Sequence, residues 1–397
     1  MGDSRDEFNV EMKPEDQPKK AFRPWLEWRA RRIDDPVVRL RYLRQAVSPE
    51  VVRPSTLRTR AGVLVGILAV IATSVLVVRA RVQVAPLPAH PRVQRPSAAL
   101  WSEALSDVWL VEHSKDSEMY SNGLRIDLRF VTTTHPRAYH PLRAASPETE
   151  DEPEHHEPVG IVFHSTESMQ APFEAGHNRV LRQVGESILE FVRRHHAYNY
   201  VIDRFGRVYR VVREGDAAEH AGYSVWADEQ WLYVNLNESF LGVSLEAKTE
   251  PGQEDSSASP AQIRSAAMLT EMLRSRYSIR AANCVTHAQV SVNPANMRVG
   301  WHTDWASSFP FEKLGLPNNY ALPLAALTAY GFEADESYLK LGGQRLYEGV
   351  ELAEGRIRAA AEERGLSVEQ YRRTLQRAYR EWQARWQHAA SSAAEGE

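Results

Sequence analysis

The chain of 397 residues holds one cysteine, Cys284, so no intramolecular disulfide can form. It also lacks a strong charge of either sign. Lys and Arg number 48 against 52 Asp and Glu, for a formal net charge of −4. General nucleic-acid binding draws on a cationic surface and is disfavoured. No internal repeat is visible, which argues against a stacked-repeat architecture. What remains is ordinary for a folded protein: 43% hydrophobic and 25% charged residues, over a length that suits two domains or one domain with long extensions.

One stretch lacks charge altogether. From Ala61 to Val78 the only hydroxyls are Thr73 and Ser74, with Arg58 and Arg60 before it and Arg79 and Arg81 after it. Eighteen helical residues span roughly 27 Å, close to the roughly 30 Å hydrocarbon core, so residues 61–78 are expected to cross a membrane. A cleaved leader is disfavoured, because the charged region before the run is long and no small-x-small site precedes Arg79. Residues 1–60 carry 14 Lys and Arg against 10 Asp and Glu, whereas the rest of the chain is net acidic. The positive-inside rule therefore places 1–60 as a basic tail in the cytoplasm and the bulk of the chain outside. Gly62 and Gly66 make a GxxxG pair, a feature of helix dimers that points to a homodimer through the membrane. Residues 79–97, with Pro86, Pro88, Pro91 and Pro96, read as an extended stalk.

Residues 98–157 read as an extension with a strand alternating through Leu124, Ile126, Leu128 and Phe130, followed by a solvated acidic loop containing His155 and His156. From residue 159 strands alternate with helices, the pattern of an α/β fold. A helix over 178–194 places Val180, Val184, Ile188 and Phe191 or Val192 on one face. Residues 198–212 read as two strands joined by a turn at Arg204-Phe205-Gly206, and Phe240 opens another strand. Ser259, Pro260 and Gln262 spell a helix start with a capping box. Beyond residue 320 the chain is expected to be helical. Its last helix has a Ser367–Gln370 capping box and a stripe of Tyr371, Leu375, Ala378, Tyr379, Trp382 and Trp386, read as a packing face.

Two apolar strands are expected to end in histidine: GIVFHS delivers His164, and NCVTH delivers His287. Further on, GWHTDW offers His302 and Asp304. Two strand-end imidazoles and a carboxylate are what a catalytic metal site needs, three protein ligands with a fourth position open to water. With 14 histidines and 52 acids in the chain, spacing alone does not settle it.

The text around these residues is more specific. IVFHST, YNYVIDRFGRVYRVV, EHAG, FLGVSLEA, the Gln262 helix, VTH and HTDWASSFPFEKL follow one another over residues 158–316. In this order they resemble the zinc-dependent N-acetylmuramoyl-L-alanine amidases, the amidase-2 superfamily that also includes peptidoglycan recognition proteins. The resemblance implies a mixed central sheet flanked by helices over 158–320, with 321–397 as a helical extension. It implies Zn2+ held by His164, His287 and Asp304, and a groove for the stem peptide and muramic acid of peptidoglycan. Tyr198 matches a tyrosine beside the metal. His220 matches a groove histidine that is not a ligand, and with Ser244 it is expected to face substrate. Ser244 stands where some members carry a catalytic glutamate; Glu246, two residues on and on the same strand face, is positioned to substitute. His302 stands where a lysine is common. The 17-residue step from His287 to Asp304 is longer than usual, so AQVSVNPANMRVG is expected to loop out. The implied protein is an amidase anchored by one helix in the bacterial inner membrane and facing the periplasm or wall space. The alternative is a peptidoglycan-binding module or envelope scaffold without catalysis.

Overall fold

The computed structural model describes residues 106–144 and 153–394. The basic tail, the uncharged run at 61–78 and the stalk lie outside them. Among the described residues no helix is long and apolar enough to cross a membrane.

The strands are β1 (Leu110–His113), β2 (Ser117–Tyr120), β3 (Arg125–Asp127), β4 (Leu142–Arg143), β5 (Gly160–Ser165), β6 (Tyr200–Ile202) and β7 (Val208–Arg210). They continue with β8 (Val225–Ala227), β9 (Trp231–Val234), β10 (Phe240–Leu245), β11 (Cys284–Thr286), β12 (Val292–Asn293) and β13 (Arg298–Val299). The helices are α1 (Asn178–His195), α2 (Leu236–Ser239), α3 (Pro260–Tyr277), α4 (His287–Val290), α5 (Ala325–Tyr330), α6 (Glu336–Gly342), α7 (Gln344–Glu363) and α8 (Val368–Ala394). The central sheet runs β1-β2-β3-β7-β6-β10-β5-β11. It is mixed, as expected. β6, β10, β5 and β11 are parallel, whereas β7 pairs antiparallel with β6.

Every residue of β5 and β10 is buried. Strands covered on both faces read as continuous apolar runs, which is how GIVF and FLGV read. On one face Phe163, Val243 and Leu245 share a core with Leu269, Met272 and Leu273 of α3. The capping box of α3 forms as the sequence predicts. Ser259 Oγ accepts from the Gln262 N–H at 3.2 Å, and Gln262 Oε1 accepts from the Ser259 N–H at 2.9 Å. The Arg204–Gly206 turn also forms, with Gly206 at φ +80°.

Two expectations need correction. α1 does not bury Val180 and Phe191, which are 40% and 55% exposed. Its inward face is Leu181, Gly185, Leu189 and Val192, one residue round from the expected stripe. Gly185 sits on this inward face opposite Glu246, and a hydrophobic pattern does not count a glycine. And His287 does not end a strand. β11 stops at Thr286, which caps α4 through a capping box with Gln289, so His287 is the first residue of a short helix.

The expected excursion between His287 and Asp304 folds as the β12–β13 hairpin. It is tied to the helical extension. Val299 N–H donates to the Glu333 carbonyl at 3.0 Å, and Tyr338 Oη–H donates to the Ala288 carbonyl at 2.9 Å. The predicted capping box opens α8, and Tyr379 packs edge-on against Tyr330 and Phe332. The Trp386 side chain lies outside the described residues.

Candidate metal centre

Parallel pairing sets His164 opposite Ser244 at the end of β5 and β10, while α4 begins at His287 beside them. Asp304 arrives from the turn after the hairpin. One ligand atom from each of His164, His287 and Asp304 lies within 4.8 Å of the others, and all three residues are buried. His164 Nδ1 is 3.1 Å from Asp304 Oδ2, and His287 Nδ1 is 2.9 Å from Oδ1. Sequence order thus comes together in space as expected.

The ring behind this set fixes its chemistry. His220 Nε2 lies 3.2 Å from the Phe240 carbonyl, which can only accept, so Nε2 carries the proton. Its Nδ1 is then a lone pair, and it meets His164 Nε2 at 3.1 Å. His164 must therefore be protonated on Nε2, which leaves its Nδ1 lone pair aimed at the Asp304 carboxylate. Lone pair against carboxylate needs a proton or a cation between them. A proton is disfavoured there: burial first, then the charge of His287, pulls His164 down to about 4. Burial alone would raise Asp304, but His287 first and His164 after it hold its carboxyl well below the usual range. His287 Nε2 has no hydrogen-bond partner among the described residues. Two imidazoles and an ionised carboxylate suit a divalent transition metal.

His220 lies flat on β10, where a Cβ at Gly242 would fall 2.6 Å from its Cγ. Buried, with both ring nitrogens engaged, it has no polar atom free for a substrate; its position is that of a ligand-orienting group. Ser244, expected beside it in the groove, is fully buried next to the Tyr198 hydroxyl. Tyr198 is half-buried, with its ring 4.9 Å from that of His164. His302 stacks on His287 at 4.7 Å and is partly exposed to solvent.

Glu246 faces away from this set. Its Oε2 accepts the Arg204 N–H at 3.1 Å beneath Gly185 of α1. Burial pushes its carboxyl up to about 7, against the opposing Arg204 N–H. The folded chain therefore keeps Glu246 protonated between the ordinary carboxyl value and about 7, and stability falls as pH rises through that window. Relative to wild type, Glu246→Gln is expected to gain about 1–3 kcal/mol between pH 5 and pH 8. Thermal unfolding at both pH values checks this; an equal shift at both would refute it.

Two contributors escape the sequence. Arg137, fully buried, donates to the carbonyls of Glu214, Asp216, Asn237, Glu238 and Phe240. It thereby pins the strand start whose carbonyl orients His220. Asn237 Oδ1 accepts the His220 N–H at 2.9 Å. Neither belongs to a recognisable motif; a lone arginine in THPRAYHP reads as solvated surface.

Residues 154–305 match the family described as N-acetylmuramoyl-L-alanine amidase. Among solved structures, the chain is similar to AmpDh3 of Pseudomonas aeruginosa in complex with anhydromuramic pentapeptide. Identity is 20% and TM-score 0.30, over 40% of this chain and 58% of that one. It is similar to the N-acetylmuramyl-L-alanine amidase AmiD of E. coli at 18% identity and TM-score 0.34, over 59% of this chain and 92% of that one. It is also similar to bumblebee PGRP-SA at 16% identity and TM-score 0.27, over 43% and 87%. The chain thus spans less than two thirds of the first of these. No curated protein matches it.

Proposed function

With residues 154–305 forming a domain of the N-acetylmuramoyl-L-alanine amidase family, we propose that the chain hydrolyses the amide joining the lactyl group of N-acetylmuramic acid to L-alanine. The observation that carries this reading is the buried His164–His287–Asp304 set, whose fixed tautomer calls for a cation. We propose Zn2+ as that ion. When bound, it would supply an acidified water and a polarised amide carbonyl.

The protein's own groups supply the remainder. Burial raises the Tyr198 phenol far above its ordinary value, so it stays protonated and can donate a hydrogen bond to the oxygen that gains charge as the amide is attacked. His302 is held neutral near pH 7, by partial burial first and by His287 second. In this reading it passes a proton towards the leaving amine of L-alanine. His220 and the Phe240 carbonyl keep His164 in the ligating tautomer throughout. No nucleophilic side chain is required, and burial pushes the Cys284 thiol up to about 12, which leaves it inert. Glu246 does not enter this scheme.

Incubation of the full chain, in mild detergent, with intact peptidoglycan should release stem peptides with free L-alanine amino termini and leave the glycan whole. Mass analysis reads the outcome, and cuts confined to the glycan or to peptide cross-links would overturn the proposal.

We also propose that the 61–78 segment anchors the enzyme with the amidase domain on the wall side, supported by the uncharged run and the basic tail before it. External protease added to spheroplasts should digest the amidase domain and spare an N-terminal tag. The opposite pattern would reverse the topology.

A further inference from the structure

Beside the metal centre two clefts share Tyr223 and Gln383 as a common wall. One, of about 340 Å³, lies against Tyr379 and Trp382 of α8; the other, of about 380 Å³, is bounded by Asn293, Pro294 and Trp301. Trp301 and Tyr223 are 62% and 54% exposed. Around them stand the amides of Asn235, Asn293 and Gln383.

Trp301 links this surface to the centre, its ring 6.3 Å from that of His302. Trp301 precedes His302, whose ring stacks on His287 at 4.7 Å. It is also held firmly. Val292 N–H donates to the Tyr223 carbonyl at 3.0 Å, Gly300 N–H to the Ser291 carbonyl at 2.8 Å, and His302 N–H to Ser291 Oγ at 3.0 Å. Gly300, at φ +80°, presses against the Tyr338 ring, where a Cβ would fall 2.0 Å from Cδ2. Exposed rings on a fixed backbone bind at little entropic cost.

The chemistry of the lining selects the occupant. Flat aromatic faces suit the C–H faces of pyranose rings, and amides suit hydroxyl and acetamido groups. No lysine or arginine lines either cleft, while Glu219 and Glu238 line the first. An anionic polymer or headgroup would be repelled; an uncharged sugar chain would not.

We propose that these clefts bind the glycan strand of polymeric peptidoglycan, on the sugars adjoining the muramic acid at the metal centre. The substrate is then the assembled polymer and not a released one- or two-sugar fragment. The inference rests on the amidase reading and names its substrate class. The track combines the hairpin loop with α8, which lies beyond the family match at residue 305.

The test compares the full chain with its Tyr223→Ala plus Gln383→Ala variant. Hydrolysis is measured on disaccharide-peptide monomers and on glycan strands carrying the same peptide. The ratio of kcat/KM for strands over monomers is expected to fall about tenfold in the variant, mainly through KM. An unchanged ratio, including equal loss on both substrates, overturns the proposal. Binding of strands of β-1,4-linked N-acetylglucosamine, which carry no lactyl carboxylate, followed by tryptophan fluorescence, gives a readout without catalysis: the wild type should bind these strands and the variant should not. A wild type that hydrolyses neither substrate but binds the strands would sink the amidase reading alone. One that hydrolyses both but binds no strands would sink the glycan site alone.

Discussion

His164→Ala or His287→Ala is expected to remove bound metal and amidase activity together, with activity falling at least about 10³-fold. Each substitution deletes one of three donors from a buried set. His164→Ala also leaves His220 Nδ1 facing an empty space where His164 Nε2 stood 3.1 Å away. In both variants the Asp304 carboxylate stays buried with one imidazole in place of two. A readout separate from turnover is the metal content of the purified full chain, near one ion per molecule in wild type. A second is thermal unfolding: chelation should lower the midpoint of wild type, because an ion bound only by the native state stabilises it, and should leave the variants unmoved. His220→Ala should retain the ion but weaken its binding about 10- to 100-fold, as loss of a ligand-orienting partner does. Full metal occupancy in the double substitution His164→Ala plus His287→Ala would sink the assignment.

The sequence makes these ligands readable for a physical reason. A strand buried on both faces must be apolar, so a histidine closing GIVFHS stands out against its own strand. The capping box at Ser259 and the turn at Gly206 are legible because they depend on neighbours within a few residues. What stays hidden depends on direction and distance. Glu246 shares a strand face with Ser244, yet its carboxylate is buried beneath α1 and accepts the Arg204 N–H. Hydrophobic periodicity does not count a glycine, so the inward face of α1, which passes through Gly185, is not legible in it. His220 reads as a groove residue until Gly242 is seen to let it lie beneath His164. Arg137 gathers five carbonyls, two of them on α2, at Asn237 and Glu238, and one at the start of β10, a convergence that no local pattern encodes. The hairpin after His287 is legible as surplus length, but its anchoring to Glu333 and Tyr338 exists only once the helical extension has packed.

Tyr198→Phe is expected to lower kcat about 10²- to 10³-fold while metal content and KM change little. The substitution removes one hydroxyl and keeps the ring that packs 4.9 Å from His164, so the centre should assemble normally. The hydroxyl matters because burial keeps it protonated far into the alkaline range, so it can donate at any working pH. A donor aimed at charge that develops only as the amide is attacked acts on kcat and leaves ground-state binding alone. The pH–rate profile of Tyr198→Phe should therefore keep the shape of wild type at lower amplitude, whereas His302→Ala should alter the shape, because a proton-passing group titrates and a fixed donor does not. Unchanged turnover in Tyr198→Phe would return the tyrosine to a packing role and leave His302 as the group that meets the reacting amide.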